Sequence, residues 1–367
     1  MMHDKAFLEK ILHGVAEIAE AGDGSYRLFR VPQKLFPQLN QRVTIRSSSP
    51  SGVELRFRMG DSPVRFTIRR MPEPNHPLFT SQTAVTVGIV HGDFQYSWLA
   101  LQEGDNEIDI SPFHDPSGVF ARNRNRFSPD LTRIVLPPFI ELRIVGWTGE
   151  MEPPRPEDSP QITYLAYGSS ITQGAYTPLG NMTYPAVIGQ ELGVDVLNLG
   201  IGGGAALEPE FAQWIISRSD WNFASLEMGV NIFGLTPEEF RTRVRGFLTV
   251  FAADPRKRPV FCMDMLPFGG EIGGDAEHKE KAEAFRRAVR EETTAAGSPA
   301  MFVLEYASLI PRVSDYAYDL LHPASRMFES LGCGLAAQIK NVLQSKYLNE
   351  LCEIRNLEPP AIPNTPK

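Results

Sequence analysis

The chain is poor in cysteine, has no long apolar run and carries no excess of positive charge. Its three cysteines, Cys262, Cys333 and Cys352, are odd in number and widely spaced; a reducing compartment, most simply the cytoplasm, is expected. CxxC and HExxH are both missing, so a zinc site has no support and neither metal nor cofactor is expected. No 18-residue apolar stretch occurs, which excludes a spanning helix and with it a membrane partner. The formal charge of -8 comes without a basic stripe, so nothing is set to replace the counterions condensed on a phosphate backbone. Nucleic acid is not an expected partner. A Walker Gly-Lys-Ser/Thr run is absent, and GIGGGA (200–205) lacks G-x-G-x-x-G spacing, which disfavours nucleotide binding.

What is present is the composition of a soluble globular protein, 42% hydrophobic and 22% charged. A length of 367 residues exceeds one ordinary core and predicts two domains. At the N-terminus, Phe7, Leu8, Ile11, Leu12, Val15 and Ile18 recur at helical spacing among charges, which predicts an amphipathic helix and not a signal peptide. From Tyr26 to Trp147 the period is two: Val53, Leu55, Phe57 and Met59 alternate with Glu54, Arg56 and Arg58, and Val64, Phe66 and Ile68 repeat the pattern. One wet face and one buried face predict antiparallel sheets in a two-sheet, jelly-roll-like β-sandwich over 1–150. His76, His91 and His114 sit among turn residues and read as surface histidines. The segment MEPPRPEDSP (151–160) has four prolines and predicts a stiff linker with neither helix nor ladder.

Beyond it, strands and helices alternate. ITYLAY, DVLNL, FASLEM, PVFCMD and AMFVLE are each followed by a helical pattern, which predicts a C-terminal α/β domain over 161–345, a parallel sheet flanked by helices on both faces, with a tail at 346–367. Thr236, Pro237 and Glu239 form a helix start with a capping box, and further helices are predicted near 277–296 and 326–343.

In such a sheet, ligands bind beyond the carboxyl ends of the strands, and four polar groups stand there. Ser169 and Ser170 follow the first strand, Gly200 to Gly204 the second, Gly229 and Asn231 the third, and Asp319 and His322 precede the last helix. Each has a bland reading: Ser170 with Gln173 makes an S-x-x-Q capping box, the glycines a tight turn, Asn231 a turn residue, and Asp319-Leu-Leu-His322-Pro a solvated loop. One mechanism accounts for all four. A serine hydroxyl needs an imidazole to take its proton, the imidazole needs a third group to fix its tautomer, and the tetrahedral oxyanion needs preorganised donors. The α/β-hydrolase elbow G-x-S-x-G fits less well, because position 172 is Thr.

GSSIT, NLGIGG, MGVN and DLLHP, in this order between Ile162 and Leu343, resemble the four blocks of the SGNH, or GDSL-type, hydrolases. The resemblance implies Ser170 as nucleophile and oxyanion donor, Gly203 and Asn231 as the other oxyanion donors, and Asp319 and His322 as orienter and base. It implies an esterase acting on a small-molecule or carbohydrate ester with a short acyl group, acetyl first. The N-terminal half is similar to the β-sandwich preceding the catalytic domain in some carbohydrate esterases. Three departures stand out: Ser169 and Ile232 replace usual aspartates, and Gly204 stands where a polar side chain is common. Two other functions remain open, an acyltransferase using the same acyl-enzyme and a glycan-binding protein with a decayed hydrolase domain. For the last, Phe94, Tyr96 and Trp98 alternate along one strand face, as a sugar platform or as core. The segment Phe268 to Asp275, with four glycines, reads as a mobile cover over the site or a passive loop.

Overall fold

The computed structural model describes residues 4–72, 85–113, 118–119, 126–310 and 312–346. His76, His114, Cys352 and all but the first residue of the expected tail lie outside them. Eleven strands are described between Leu12 and Glu152: β1 (Leu12–His13), β2 (Glu17–Glu20), β3 (Tyr26–Phe29), β4 (Glu54–Met59), β5 (Val64–Arg70), β6 (Thr86–His91), β7 (Phe94–Ala100), β8 (Gly104–Ile110), β9 (Leu131–Val135), β10 (Leu142–Thr148) and β11 (Met151–Glu152). They form two antiparallel sheets, one ordered β1-β4-β9-β6-β7 with β11 also on β4, the other β2-β3-β10-β5-β8. Leu55, Phe57, Ile89 and Ile134 of the first sheet share one apolar cluster with Phe66, Ile68, Ile108 and Ile144 of the second. The alternation read in the sequence therefore feeds a core shared by both sheets.

The N-terminal helix is shorter than its periodicity predicts. α1 (Lys5–Ile11) is capped by Asp4 and buries Leu8 and Ile11, but Leu12 already pairs with Leu55 and Ile18 with Leu28. Gly14 marks the break. Its φ is 78°, and a Cβ there would come within 2.8 Å of the Gly52 carbonyl, so a tertiary contact overrides local helical spacing. The proline-rich segment also differs from expectation. Met151 and Glu152 pair with Met59 and Arg58 before the first proline, and Pro156–Asp158 is a 3₁₀ turn with proline at its start, where the missing N–H costs little. Asp158 is buried and accepts from Arg58 at 2.6 Å. His91 is no surface histidine. It ends β6, buried, with Nδ1 3.2 Å from the Thr132 hydroxyl, and burial pushes its imidazole down to about 4. The aromatic stripe is not core: Phe94, Tyr96 and Trp98 are 40%, 46% and 66% exposed.

The C-terminal half holds β12 (Thr163–Gly168), β13 (Asp195–Gly200), β14 (Phe223–Glu227), β15 (Val260–Met263) and β16 (Met301–Leu304), all parallel, in the order β13-β12-β14-β15-β16. Both faces are covered. Leu165 and Tyr167 of β12 join one cluster with Phe247 and Phe285, while Tyr164 and Ala166 join another with Ile188 and Leu335. The helix α2 (Gln41–Arg46), which lies in the N-terminal half, sends Val43 into the first of these clusters. Arg56 reaches across from β4 to Asp195, bidentate at 2.6 and 2.7 Å. Arg30, fully buried, donates to the carbonyls of Asn198 and Gly200 at 2.9 Å and to those of Ser49 and Arg46.

Candidate active site

The strand β12 ends at Gly168, and a short helix, α3 (Ser170–Gln173), begins two residues later. Its cap is Ser169, whose hydroxyl accepts the Ile171 N–H at 3.1 Å, and not Ser170 as the S-x-x-Q spacing suggests. Gln173 accordingly does not close a capping box; its Oε1 accepts the Gly202 N–H at 2.6 Å. With capping assigned to its neighbour, Ser170 is left to face the last loop. Its Oγ lies 2.7 Å from His322 Nε2, and His322 Nδ1 lies 2.7 Å from Asp319 Oδ2. A carboxylate accepts only, so Nδ1 carries the proton and the Nε2 lone pair meets the serine hydroxyl. Ser170 and His322 are both buried.

Three further donors hold Asp319. The N–H groups of Leu321 and His322 reach Oδ1 at 3.0 and 3.1 Å, and the Tyr176 hydroxyl reaches Oδ2 at 3.1 Å. Partial burial pushes the carboxyl up, but donation from the His322 ring and these N–H groups outweighs it and keeps the group well below the usual carboxylate range. Asp319 is thus an anion whenever His322 needs a partner. The loop that bears it is buttressed from the Phe268 to Asp275 segment, a docked element: α7 (Gly269–Ile272) gives its first N–H to the Leu320 carbonyl at 2.6 Å, and Glu271 pairs twice with Arg286 at 2.7 Å. Between α3 and α7 in the chain lie α4 (Tyr184–Leu192), α5 (Pro209–Ser217) and α6 (Pro237–Ala252); α8 (Ala276–Ala295) and α9 (Met327–Lys346) follow.

The glycine turn after β13 is fixed to its neighbours on both sides. Gln173 holds Gly202, and the Asn231 side-chain carbonyl accepts the Ala205 N–H at 3.0 Å. That bond orients the amide. With Oδ1 engaged, the NH₂ of Asn231 is the end turned away from the turn and able to donate. Gly203 has φ 73°, in the left-handed region that favours glycine. Side-chain atoms of Arg42, from α2, lie 3.7 Å from where its Cβ would be, and Phe139, from the loop between β9 and β10, packs with Ala175 and Tyr176. The N-terminal half therefore forms part of the rim.

Sequence reasoning missed Glu227 and Tyr176 and placed Gln173 only in a capping box. Glu227 had a signal, an acid ending the apolar strand FASLE; Tyr176 on Asp319 and Gln173 on Gly202 had none, since these partners lie 143 and 29 residues away. Among the described residues, no group of three or more His, Cys, Asp or Glu side chains is placed to hold a metal, and no helix is long and apolar enough to cross a membrane.

Residues 162–341 match the family model described as GDSL-like lipase/acylhydrolase. The C-terminal half belongs to this family. The chain is, accordingly, an ester hydrolase of GDSL type. No curated protein matches the sequence, but solved structures share its fold. A salicylyl-acyltransferase, SsfX3, from a tetracycline biosynthetic pathway is 17% identical with a TM-score of 0.73, covering 92% of this chain and 95% of its own. A GDSL-like lipase from Bacteroides ovatus is 16% identical, TM-score 0.70, covering 91% and 95%. A family two carbohydrate esterase from Cellvibrio japonicus is 14% identical, TM-score 0.60, covering 92% and 97%. The likeness in fold spans both halves of the chain.

Proposed function

We propose that this GDSL-type hydrolase cleaves carboxylic esters through an acyl-enzyme on Ser170. The observation that carries the reading is the continuous hydroxyl, imidazole and carboxylate chain, 2.7 Å at each step. Ser170 Oγ attacks the ester carbonyl as His322 Nε2 takes its proton, and the charge on the carbonyl oxygen is met by the N–H groups of Ser170 and Gly203 and the Asn231 amide. The imidazolium, stabilised by Asp319, gives its proton to the departing alcohol oxygen as the C–O bond breaks. Water then attacks the acyl group, losing a proton to Nε2, and Ser170 departs with that proton. We assign the two-part organisation to a sheet domain ahead of the proline-rich segment and a catalytic domain after it.

The substrate reading is a small or carbohydrate ester with a short acyl group, supported by the likeness to family two carbohydrate esterases. An acyltransferase is the second reading, supported by the likeness to a salicylyl-acyltransferase over both halves; the two differ in whether water or an alcohol reaches the acyl-enzyme first. A panel of aryl esters of increasing acyl length, run on the wild type and Ser170→Ala, tests the nucleophile. Turnover should fall at least ~10³-fold in the variant, and a folded Ser170→Ala protein with full turnover refutes the assignment. Product analysis with added alcohols or sugars separates hydrolysis from transfer.

A further inference from the structure

The turn that carries Ser170 is hung from a buried acid on another strand. Glu227, the last residue of β14, is 2% exposed. Its carboxylate accepts the Ser169 N–H at 2.8 Å, the Ser169 hydroxyl at 2.7 Å to one oxygen and 2.9 Å to the other, and the Thr172 hydroxyl at 2.7 Å. None of these partners is a cation. Two relays end on it. The Ile171 N–H donates to Ser169, which donates to Glu227; the Tyr184 hydroxyl, 2.6 Å from Thr172, donates to Thr172, which donates to Glu227. Both flanks of the first turn of α3 therefore lean on one carboxylate. Gly168 has no side chain at the same spot, where a Cβ would lie 2.5 Å from Glu227 Oε2 and 2.1 Å from Thr172 Oγ1.

The residue before the nucleophile is a serine here, and the resemblance to the GDSL family leads one to expect an aspartate. We infer that Glu227 is the positioning residue of the nucleophile turn: from the end of β14 it supplies the carboxylate that position 169 does not, and so fixes Ser170 on His322. The inference rests on the reading of Ser170 as nucleophile. Its physical basis is directional. A Ser169 hydroxyl has one proton and is free to rotate unless an acceptor claims that proton; Glu227 claims it, which turns a lone pair toward the Ile171 N–H. The cap then has one orientation, and with it the backbone that aims the Ser170 hydroxyl at Nε2.

A cycle of two substitutions tests this. Glu227→Gln keeps the shape but leaves one acceptor oxygen for three donors, and kcat on an aryl acetate should fall up to ~10²-fold, the effect of a small misplacement of the reacting group, with KM within about twofold. Ser169→Asp alone sets a second carboxylate against Glu227; like charges repel, and kcat should fall about tenfold or more. The double variant should recover activity above either single one, because the new carboxylate caps the Ile171 N–H directly and accepts from the new amide. A residue that only holds the fold together gives additive losses, and no recovery. Wild-type kcat in a folded Glu227→Gln protein, or a double variant no better than the worse single one, overturns the inference; so does a double variant that does not fold. Ser170→Ala in the same series separates the two readings. If it stays active, the nucleophile assignment falls, whereas loss in Ser170→Ala with retention in Glu227→Gln removes only the role given to Glu227.

Discussion

Exchange of Asn231 for aspartate separates the oxyanion role proposed for its amide from the turn that it supports. The side-chain carbonyl of Asn231 holds the Ala205 N–H at 3.0 Å, and an aspartate oxygen can take the same bond, so the glycine turn keeps its tether. Two things change. The NH₂ donor is lost, at a cost of about 3 kcal/mol in the transition state, and a negative charge stands beside the oxygen on which negative charge develops. At ~4 Å and an effective dielectric near 20, that repulsion is about 4 kcal/mol. Together they come to about 7 kcal/mol, or ~10⁵-fold in kcat. Asn231→Ala loses the donor without adding charge and should cost only ~10²- to 10³-fold. The order wild type, Ala, Asp is thus the expected one, measured as kcat on an aryl acetate with melting curves to show that each variant is folded. An aspartate variant as active as the alanine variant refutes the oxyanion role of this side chain.

Three other outcomes are expected. Tyr176→Phe removes one of four donors to Asp319, a bond to a charged group worth about 1.5 kcal/mol; kcat should fall roughly tenfold, and unchanged kinetics remove Tyr176 from the site. For acid stability, burial pushes Glu54 and Asp195 up, but Arg133 and Arg56 overcome it and hold both below the usual range. Groups whose folded value is depressed stabilise the fold fully above the unfolded value of about 4 and lose that contribution as pH falls below it. Calorimetry should therefore show the melting temperature dropping below about pH 4, and Arg56→Ala should cost about 3–5 kcal/mol at neutral pH by leaving Asp195 buried and without its bidentate partner. A melting temperature that is flat from pH 6 to 3 contradicts this.

The parallel sheet and the positions of the polar groups were legible because both follow from local signals. Strand and helix periods alternate after residue 160, and the loops after β12, β13 and β14 carry the residues that the fold brings to one edge. What was not legible depends on contacts far along the chain. Gly14 packs on Gly52 and cuts the N-terminal helix short. Period two along β7 told that Phe94, Tyr96 and Trp98 share a face, but nothing local says whether that face is covered. The choice between Ser169 and Ser170 is similar: the S-x-x-Q spacing favours Ser170 as the cap, and only Glu227, 58 residues away, puts Ser169 in that place.

Arg30 constrains how this architecture can be taken apart. Its guanidinium meets four carbonyls and, among the described residues, no carboxylate, and two of those carbonyls belong to β13. Excising residues 161–346 would strip the lid from the strand that leads into the glycine turn, so a minimal hydrolase cut at the prolines is a poor starting point for engineering. Gene fusions that swap the leading sheets would have to bring along an equivalent arginine.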